Sequence, residues 1–571
     1  MKKLLSICLL WCFTSAYTNA QSTFAPINTD ISHLVERYEI KSGALFNKQH
    51  THIKPYQRKA LALMADTLHK DSLVLLSKTD MFNLSYLQND NWEWSDTSNN
   101  ANSDSKKPFL KKLYRKKSDF FQFQNDVFDV HVSPVAQLSI GKDSKYSSFT
   151  YLNTRGIELR GMIDKKVGFY AYITDNQARF PLYVQQQITA IDAVPNEGYY
   201  KDGDRPTPDN VDFITARGYI TFNATKHIQA QFGHDRNFIG NGQRSMILSD
   251  FSSPYLFLKV NTNIWKLNYQ NIFAQMTADV LNADGLRPKK YFAFHHLSAN
   301  ITKNFNIGLF ESVVFGRGDS LSGGSFDFNY LNPLIFYRSV EQNLGSPDNA
   351  IVGLDFKWNF KRSFSFYGQL VLDEFRIKDV IKGNGWWGNK QAWQLGFKYI
   401  DVFGFKNLDF QLEMNTARPY TYTQDTKIKS YTNYNQALAH PLGANFREFI
   451  SVLRYQPIPR LTIVGKIIYA KTGADTQKIV GTTTTTTNWG TNLLLSNKNI
   501  EQEYGNTIGQ GVAQKLLFAD LTLSYQLKHN LFVDFKQVFR RIESNLEANK
   551  STISFTQLSI RLNIASRVHE F

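Results

Sequence analysis

Two stretches of this chain gather residue types suited to gripping a polar ligand rather than cleaving one. The first runs from Asp235 to Asp250 and holds Arg236, Asn237, Gln243, Arg244 and Ser245. Planar guanidinium forks bind carboxylates and vicinal hydroxyls, so acidic sugars suit such a set. The competing use of the same residues is internal, knitting a folded loop or a barrel wall through ion pairs. The second stretch, Leu331 to Gln342, carries Arg338 and Glu341 in a long loop that opens Asn332-Pro333. These two can pair with each other or line the mouth of a lumen. Asp373 and Glu374 would form a second wall of the same polar patch, or serve as plain interior carboxylates. Trp386 and Trp387, between Gly385 and Gly388, place two indoles in a loop. Exposed indoles stack on sugar faces, although an aromatic belt at a membrane interface uses the same residues. Trp489 is a weaker candidate of the same kind.

Catalytic chemistry has no comparable signal. There is no Gly-rich phosphate loop, GxSxG elbow or HExxH pair. His295 and His296 are adjacent, and neighbours on a strand point to opposite faces, so they are poor joint ligands. No catalytic residue, metal or cofactor is expected. Arg317-Gly318-Asp319 reads as a chance tripeptide. The two cysteines, Cys8 and Cys12, both fall in the first 20 residues, which excludes disulfide scaffolding, Cys-ligated zinc and a Cys nucleophile beyond them.

The elements that must position these residues begin with an address. Lys2 and Lys3, the apolar run Leu4 to Phe13, and Thr18-Asn19-Ala20 form an expected signal peptide over residues 1–20. A chain that leaves the cytoplasm has little use for nucleic acid, despite 65 Lys and Arg against 49 Asp and Glu. Residues 21–94 show helical spacing at Ile31–Ile40, Gln57–Leu68 and Met81–Leu87, which predicts a small helical module. Residues 95–134 read as a polar, basic linker followed by a possible plug strand at 119–132.

From about residue 119 the period becomes two, with the first spanning strand expected from 135. Leu408, Phe410, Leu412 and Met414 alternate with polar neighbours, as do Ala519, Leu521, Leu523 and Tyr525. The mean hydropathy is −0.35, and after residue 20 no apolar run approaches the roughly 20 residues of a spanning helix. Alternation alone fits a soluble sandwich or a membrane barrel. The connections decide. Short turns such as 164–166, 302–304, 360–363 and 527–530 alternate with long links such as 234–254, 316–350, 416–445 and 471–513. That two-sided asymmetry is the mark of an outer-membrane barrel with short periplasmic turns and long outer loops. Counting back from Phe571, taken as the terminal aromatic of a closing strand, gives 18 spanning strands over 135–571. Lys165, Lys166, Lys226, Lys303, Lys361, Arg362, Lys406, Arg460 and Lys528 then sit at the short turns, facing lipid phosphates.

The segments Gly233 to Ser245, Leu331 to Gln342 and Tyr367 to Glu374, together with His33–Gly43 and Lys54–Ala62, are distinctive. With them the chain resembles the Wzi-type capsule-assembly outer-membrane barrels of Bacteroidetes, a group that includes the gliding motility RemB proteins. The resemblance implies an all-β transmembrane barrel of about 18 antiparallel strands with a periplasmic helical module. It implies a non-enzymatic, lectin-like role in handling surface polysaccharide, and in gliding relatives, motility. The helical stretch is also similar to the helix–loop–helix of S-layer-homology modules, which implies cell-wall glycan as a periplasmic partner. Surface polysaccharide and outer-membrane lipids are the other expected partners. The alternative reading is a porin-type channel for solutes. In the glycan reading, Arg236, Asn237, Gln243, Arg244, Arg338, Glu341, Trp386 and Trp387 form the binding set.

Overall fold

The computed structural model describes residues 22–96, 101–201, 210–278, 287–316, 326–334, 336, 337, 339, 348–480 and 483–571. The period-two stretches form a closed antiparallel barrel of 18 strands. In chain order these are β1 Phe128–Asp143, β2 Phe149–Ile163, β3 Val167–Arg179, β4 Val211–Asn223, β5 Ile228–Asp235 and β6 Tyr255–Ile264. They continue as β7 Leu267–Thr277, β8 Lys289–Asn300, β9 Phe305–Phe315, β10 Asn349–Phe360, β11 Phe364–Leu372 and β12 Gln391–Tyr399. The last six are β13 Leu408–Ala417, β14 Phe446–Ile458, β15 Leu461–Ala474, β16 Val512–Lys528, β17 Leu531–Ser544 and β18 Ser551–Leu562. Each strand pairs with the next, and β18 returns to β1 from Ala136↔Leu562 to Asp143↔Phe555. That seam leaves no edge strand, the condition for a sheet that meets lipid.

The alternation sorts side chains by face. Outward positions such as Leu138, Ile140, Ile173, Leu309, Leu412, Leu453, Ile467 and Leu558 are apolar and exposed. Inward positions carry Arg160, Lys357, Lys398, Asp409, Glu413, Glu448 and Arg561, all buried. An outward polar cluster of Asn271, His295 and Glu311 is covered. Glu311 accepts from the Tyr337 amide at 2.7 Å, and Tyr337 stacks on His295 with centroids 3.8 Å apart. Here the loop after β9 folds back over the outside of the wall.

The first strand starts at Phe128, earlier than the expected 135. The segment Phe121–Gln124, expected as part of a plug strand, pairs with β1 from Phe121↔Val132 to Gln124↔Asp129. Its Phe121 and Phe123 are exposed, so it hangs as a hairpin arm from the turn end of β1.

The helical module fills the turn-end half of the lumen instead. Its helices are α1 Thr29–Ser42, α2 Arg58–Lys70 and α3 Lys78–Asp90. Asn28 caps α1, and Ser77 and Asp80 form a reciprocal capping box on α3. Val35, Tyr38, Leu61, Met64, Ala65, Leu84 and Leu87 make the module's own small core. Much of what it buries against the wall is ionic. Arg37, 2 % exposed, reaches Asp80 at 3.2 Å, Asp401 at 2.6 Å and Asp409. Glu36 pairs with Lys54 at 3.1 Å and with Lys398 of β12. Glu39 pairs with Lys357 of β10, and Asp30 with Arg454 of β14 at 2.8 Å. At the short turns, Tyr86 donates to Asn530 at 2.5 Å, and Asn83 exchanges bonds with Gln456 at 2.8 and 3.0 Å.

The tail after β18 corrects a second expectation. Phe571 does not close a strand. Asn563, at φ 53°, turns the chain inward, and residues 564–571 run up the lumen. Arg567 pairs with Glu197 at 2.6 Å, and Glu570 with Lys466 at 2.7 Å. The Phe571 ring lies against Tyr183 of the helix α4 Leu182–Ile191, centroids 5.9 Å apart. The tail holds three charged or titratable side chains whose partners are all interior, which is why it cannot lie on the lipid face.

Burial by itself would raise the Glu36 carboxyl, but Lys398 and Lys54 outweigh it and hold it at about 2, below its ordinary 4.5. Burial likewise opposes the charged form of Asp30 and Asp80, yet Arg454 and Arg561 at the first, and Arg37 and Lys41 at the second, hold both below the usual range. A carboxylate depressed in the folded state contributes stability that is complete above its unfolded pKa and lost as pH falls toward the folded one. The module is therefore expected to loosen from the wall as pH falls from about 4.5 to 2, and not on mild alkalinisation. Protease cleavage within residues 97–118, followed against pH, measures this. Arg37→Met leaves Asp409 with His33 alone, while Asp80 and Asp401 keep Lys41; it should cost about 3 kcal/mol, read as release of the module at lower denaturant while the barrel stays folded.

Candidate functional site

Two places need to be described: the inward loop after β5 and the rim at the long-loop end.

The loop 236–254 turns into the barrel rather than out of it. Ile239, Met246, Ile247 and Leu248 join Phe292, Phe294, Tyr422 and Tyr431 in the lumen core. Ile53 and Lys54 of the module pair with Ile239 and Phe238, so module and loop meet in a two-residue ladder. At Gly242 a Cβ would come within 2.4 Å of Glu413 Oε2. This close approach lets Glu413 accept from the amides of Gln243 at 2.7 Å and Arg244 at 3.1 Å.

The expected binding residues of this loop are spent inside. Arg236 donates to the Asp250 carbonyl at 3.1 Å. Asn237 is fully buried and accepts from Lys259 at 3.0 Å. Gln243 donates to Gln411 at 2.9 Å. Arg244 reaches Glu448 at 3.3 Å and the Glu570 carbonyl at 2.6 Å. Burial opposes the Arg244 charge, but Glu448 and Glu570 hold its pKa above the ordinary value. These four residues form a latch among loop, wall and C-terminal tail. Asp373 also works inside, accepting from the Tyr422 amide at 2.8 Å, and Glu374 pairs with Lys390 at 3.1 Å. Arg338 and Glu341 lie outside the described residues.

Trp386 and Trp387 do lie at the rim, on the link between β11 and β12. Their faces are partly taken. The Arg376 guanidinium sits 4.0 Å from the Trp386 ring centre, and Trp386 is only 6 % exposed. Trp387 is half-buried, with Lys390 over its ring at 5.2 Å and Tyr420 edge-on at 6.1 Å. The segment is tied to the link before β16: Trp387 donates to the Glu503 carbonyl at 2.9 Å and Asn506 to the Gly385 carbonyl at 2.9 Å. Trp489 belongs to the same rim, its amide held by Asp475 at 2.6 Å. Thr483–Thr487 pairs with Thr476–Val480 as a hairpin on the same side of the barrel.

Between these tied links and the wall opens a cleft of about 560 Å³. Gln391, Arg418, Arg447 and Lys471 line it from four consecutive strand ends, β12 to β15. Their neighbours Ala392, Ala417 and Phe446 face the lumen core, so these four face outward, and the cleft sits outside the wall beneath the loops. Arg418 is braced by the carbonyl of Asn389 at 2.8 Å. Arg447 and Lys471 are direct register partners, both exposed, and neither forms an ion pair among the described residues. Like charges placed directly opposite on adjacent strands are unfavourable unless an anion lies over them. Asn389 and Asn506 add amides, and the one carboxylate, Asp379, is engaged by Asn384 at 2.7 Å. The cleft can hold an anionic, hydroxyl-rich chain. Sequence reading passed over Arg418, Arg447 and Lys471; the available signal was cations at outward positions at the loop ends of otherwise apolar strands.

His295 and His296 behave as adjacent strand residues must. His295 faces the covering loop outside the wall, and His296 faces the lumen.

No curated protein matches this sequence. Among solved structures, Wzi of Escherichia coli, an outer membrane protein involved in group 1 capsule assembly and a carbohydrate-binding β-barrel, superposes with a TM-score of 0.56 at 12% identity, covering 95% of this chain and 100% of that one. OprD of Pseudomonas aeruginosa gives a TM-score of 0.40 at 12% identity, covering 76% of this chain and 94% of that one. OccAB2 of Acinetobacter baumannii gives 0.42 at 10% identity, covering 76% and 97%. Residues 136–551 match the family profile described as capsule assembly protein Wzi. The barrel is thus an outer-membrane one. With most of its length matched, the chain belongs to the Wzi capsule assembly family.

Proposed function

We propose that this protein anchors surface polysaccharide at the outer rim of a sealed, non-enzymatic barrel as a step in capsule assembly. The observation that carries the reading is the pairing of a filled lumen with an outward cationic cleft. From the turn end upward, the lumen holds the helical module, the inward loop with the C-terminal tail, and α4. The spaces left beneath α1 and along the wall are cavities of about 150 and 80 Å³. A solute pore needs a continuous aqueous path, which argues against the channel reading.

The glycan would lie in the cleft beneath the rim loops, gripped by Arg447 and Lys471, with braced Arg418 and the amides of Asn389 and Asn506 beside them. Acidic residues of the polymer satisfy the cations, and hydroxyls satisfy the amides. Trp386 and Trp387 lie on the tied rim link beside the cleft, while Arg236, Asn237, Gln243 and Arg244 hold the barrel rigid from within. Lipid is the second partner, along the apolar outer wall. The helical module faces the periplasm, where cell-wall glycan would meet it. In a gliding bacterium the same grip would couple the coat to movement over a surface.

Three measurements test the reading. Purified protein in a planar bilayer should show no large steady openings; large steady openings would sink it in favour of a porin. Arg447→Gln combined with Lys471→Gln leaves every inward contact intact. It should weaken retention of an acidic capsular polysaccharide by about tenfold or more, the scale of about 1.4 kcal/mol. Wild-type binding should also weaken as salt is raised. Unchanged retention in the double variant would remove the cleft from the proposal.

A further inference from the structure

Inside the lumen, at the seam between the helical module and the wall, lies a cluster with no role in the fold or the rim. His52 comes from the module's link between α1 and α2, His296 from β8 and Asp355 from β10. All three are essentially unexposed, at 1 %, 0 % and 0 %. One donor atom from each lies within 4.8 Å of those of the others. His296 Nε2 is 2.6 Å from Asp355 Oδ1, and His52 Nε2 is 3.9 Å from Asp355 Oδ2.

The hydrogen bonding of this cluster is incomplete. Both ring nitrogens of His52, Nδ1 of His296 and Oδ2 of Asp355 are buried without a hydrogen-bond partner. A neutral imidazole offers one donor and one acceptor, and burying both unmet is unfavourable. Gly308 keeps the space open beside the pair: a Cβ there would come within 2.3 Å of Asp355 Oδ1 and 2.5 Å of His296 Nε2. The neighbouring cation, Lys357, is already neutralised by Glu39 and held by Thr51. His50 stands 5.9 Å from His52 between ring centres, with its Nδ1 on Ser298 at 2.7 Å.

We propose that His52, His296 and Asp355 form a structural site for a divalent transition metal, which pins the helical module to the barrel wall. Two imidazoles and a carboxylate suit Zn²⁺ and its first-row neighbours rather than Ca²⁺ or Mg²⁺, which take oxygen sets. Tetrahedral donors at about 2.1 Å from zinc stand about 3.4 Å apart, so ring rotations and shifts of about an ångström complete the geometry. His296 binds as a neutral imidazole, its single proton carried on Nδ1 and its Nε2 lone pair turned to the metal, and water takes the fourth position. The metal would bridge the module to two strands fixed by the barrel ladder. It would do so independently of the polysaccharide reading.

The test uses the full-length protein in detergent, stripped with chelator and titrated with ZnCl₂ or CoCl₂. The expected result is one Zn²⁺ per chain and a visible Co²⁺ ligand-field band. His52→Gln and His296→Gln should each lower Zn²⁺ affinity at least tenfold. His69→Gln, an exposed histidine of α2, should not. Zinc should also slow protease cleavage at residues 97–118 in wild type but not in His52→Gln. Heat-shifted migration of the folded barrel shows that each variant has folded. Absence of stoichiometric metal, or full affinity retained in both cluster variants, overturns the proposal; the first outcome would assign the space to water, the second would assign the metal to the surface.

Discussion

The whole architecture depends on one seam, the antiparallel pairing of β18 with β1. In hydrocarbon no water meets an unpaired amide, so a spanning sheet must close on itself. Closure fixes two faces. The outer one must be apolar where it meets hydrocarbon, and most outward strand positions obey this, with exceptions such as the Arg155–Asp175 pair and the rim cations Arg447 and Lys471. Nearly all charge on the strands is therefore forced inward, where it would be costly to leave unpaired. The lumen is filled by the segments that meet this demand. Glu36, Glu39 and Asp30 of the module are separated from Lys398, Lys357 and Arg454 by 362, 318 and 424 residues, and the seam brings them together.

The strand count, the alternation of short turns and long loops, and the apolar exterior were legible because each is a local pattern repeated many times. The interior was not. An inward Lys398 or Glu413 has the same neighbours in sequence whether it faces water or a plug, so period two cannot tell an open lumen from a filled one. The helices could be read from the spacing of Leu61, Met64 and Leu68, but their place inside the barrel rests on Arg37 meeting Asp401 and Asp409, which no local pattern reveals. The same holds for the loop after β5. Its density of Arg, Asn and Gln looks the same for a ligand site and for a latch, and the inward fold of Ile239, Met246 and Leu248 decides between them.

The rim shows the reverse case. Trp386 and Trp387 stood out by type, yet Arg376 and Lys390 cover much of their faces. Arg418, Arg447 and Lys471 are ordinary by type and become distinctive only when the register sets them side by side at the outer ends of β13, β14 and β15. Position on the cylinder, more than residue identity, marks the polar groups available to a partner. A group below the rim is consumed by the seal, and a group at the rim facing out is left open.

The tail that follows β18 has a bearing on how the molecule is built. Residues 564–571 lie within a cavity whose last wall stave is the twelve residues just before them. The stave and its threaded end therefore have to reach position together, the tip entering while the cylinder still gapes or through its base before the helices settle. Any peptide fused after Phe571 would inherit that berth, competing with Tyr183 and Phe251 for room in the interior.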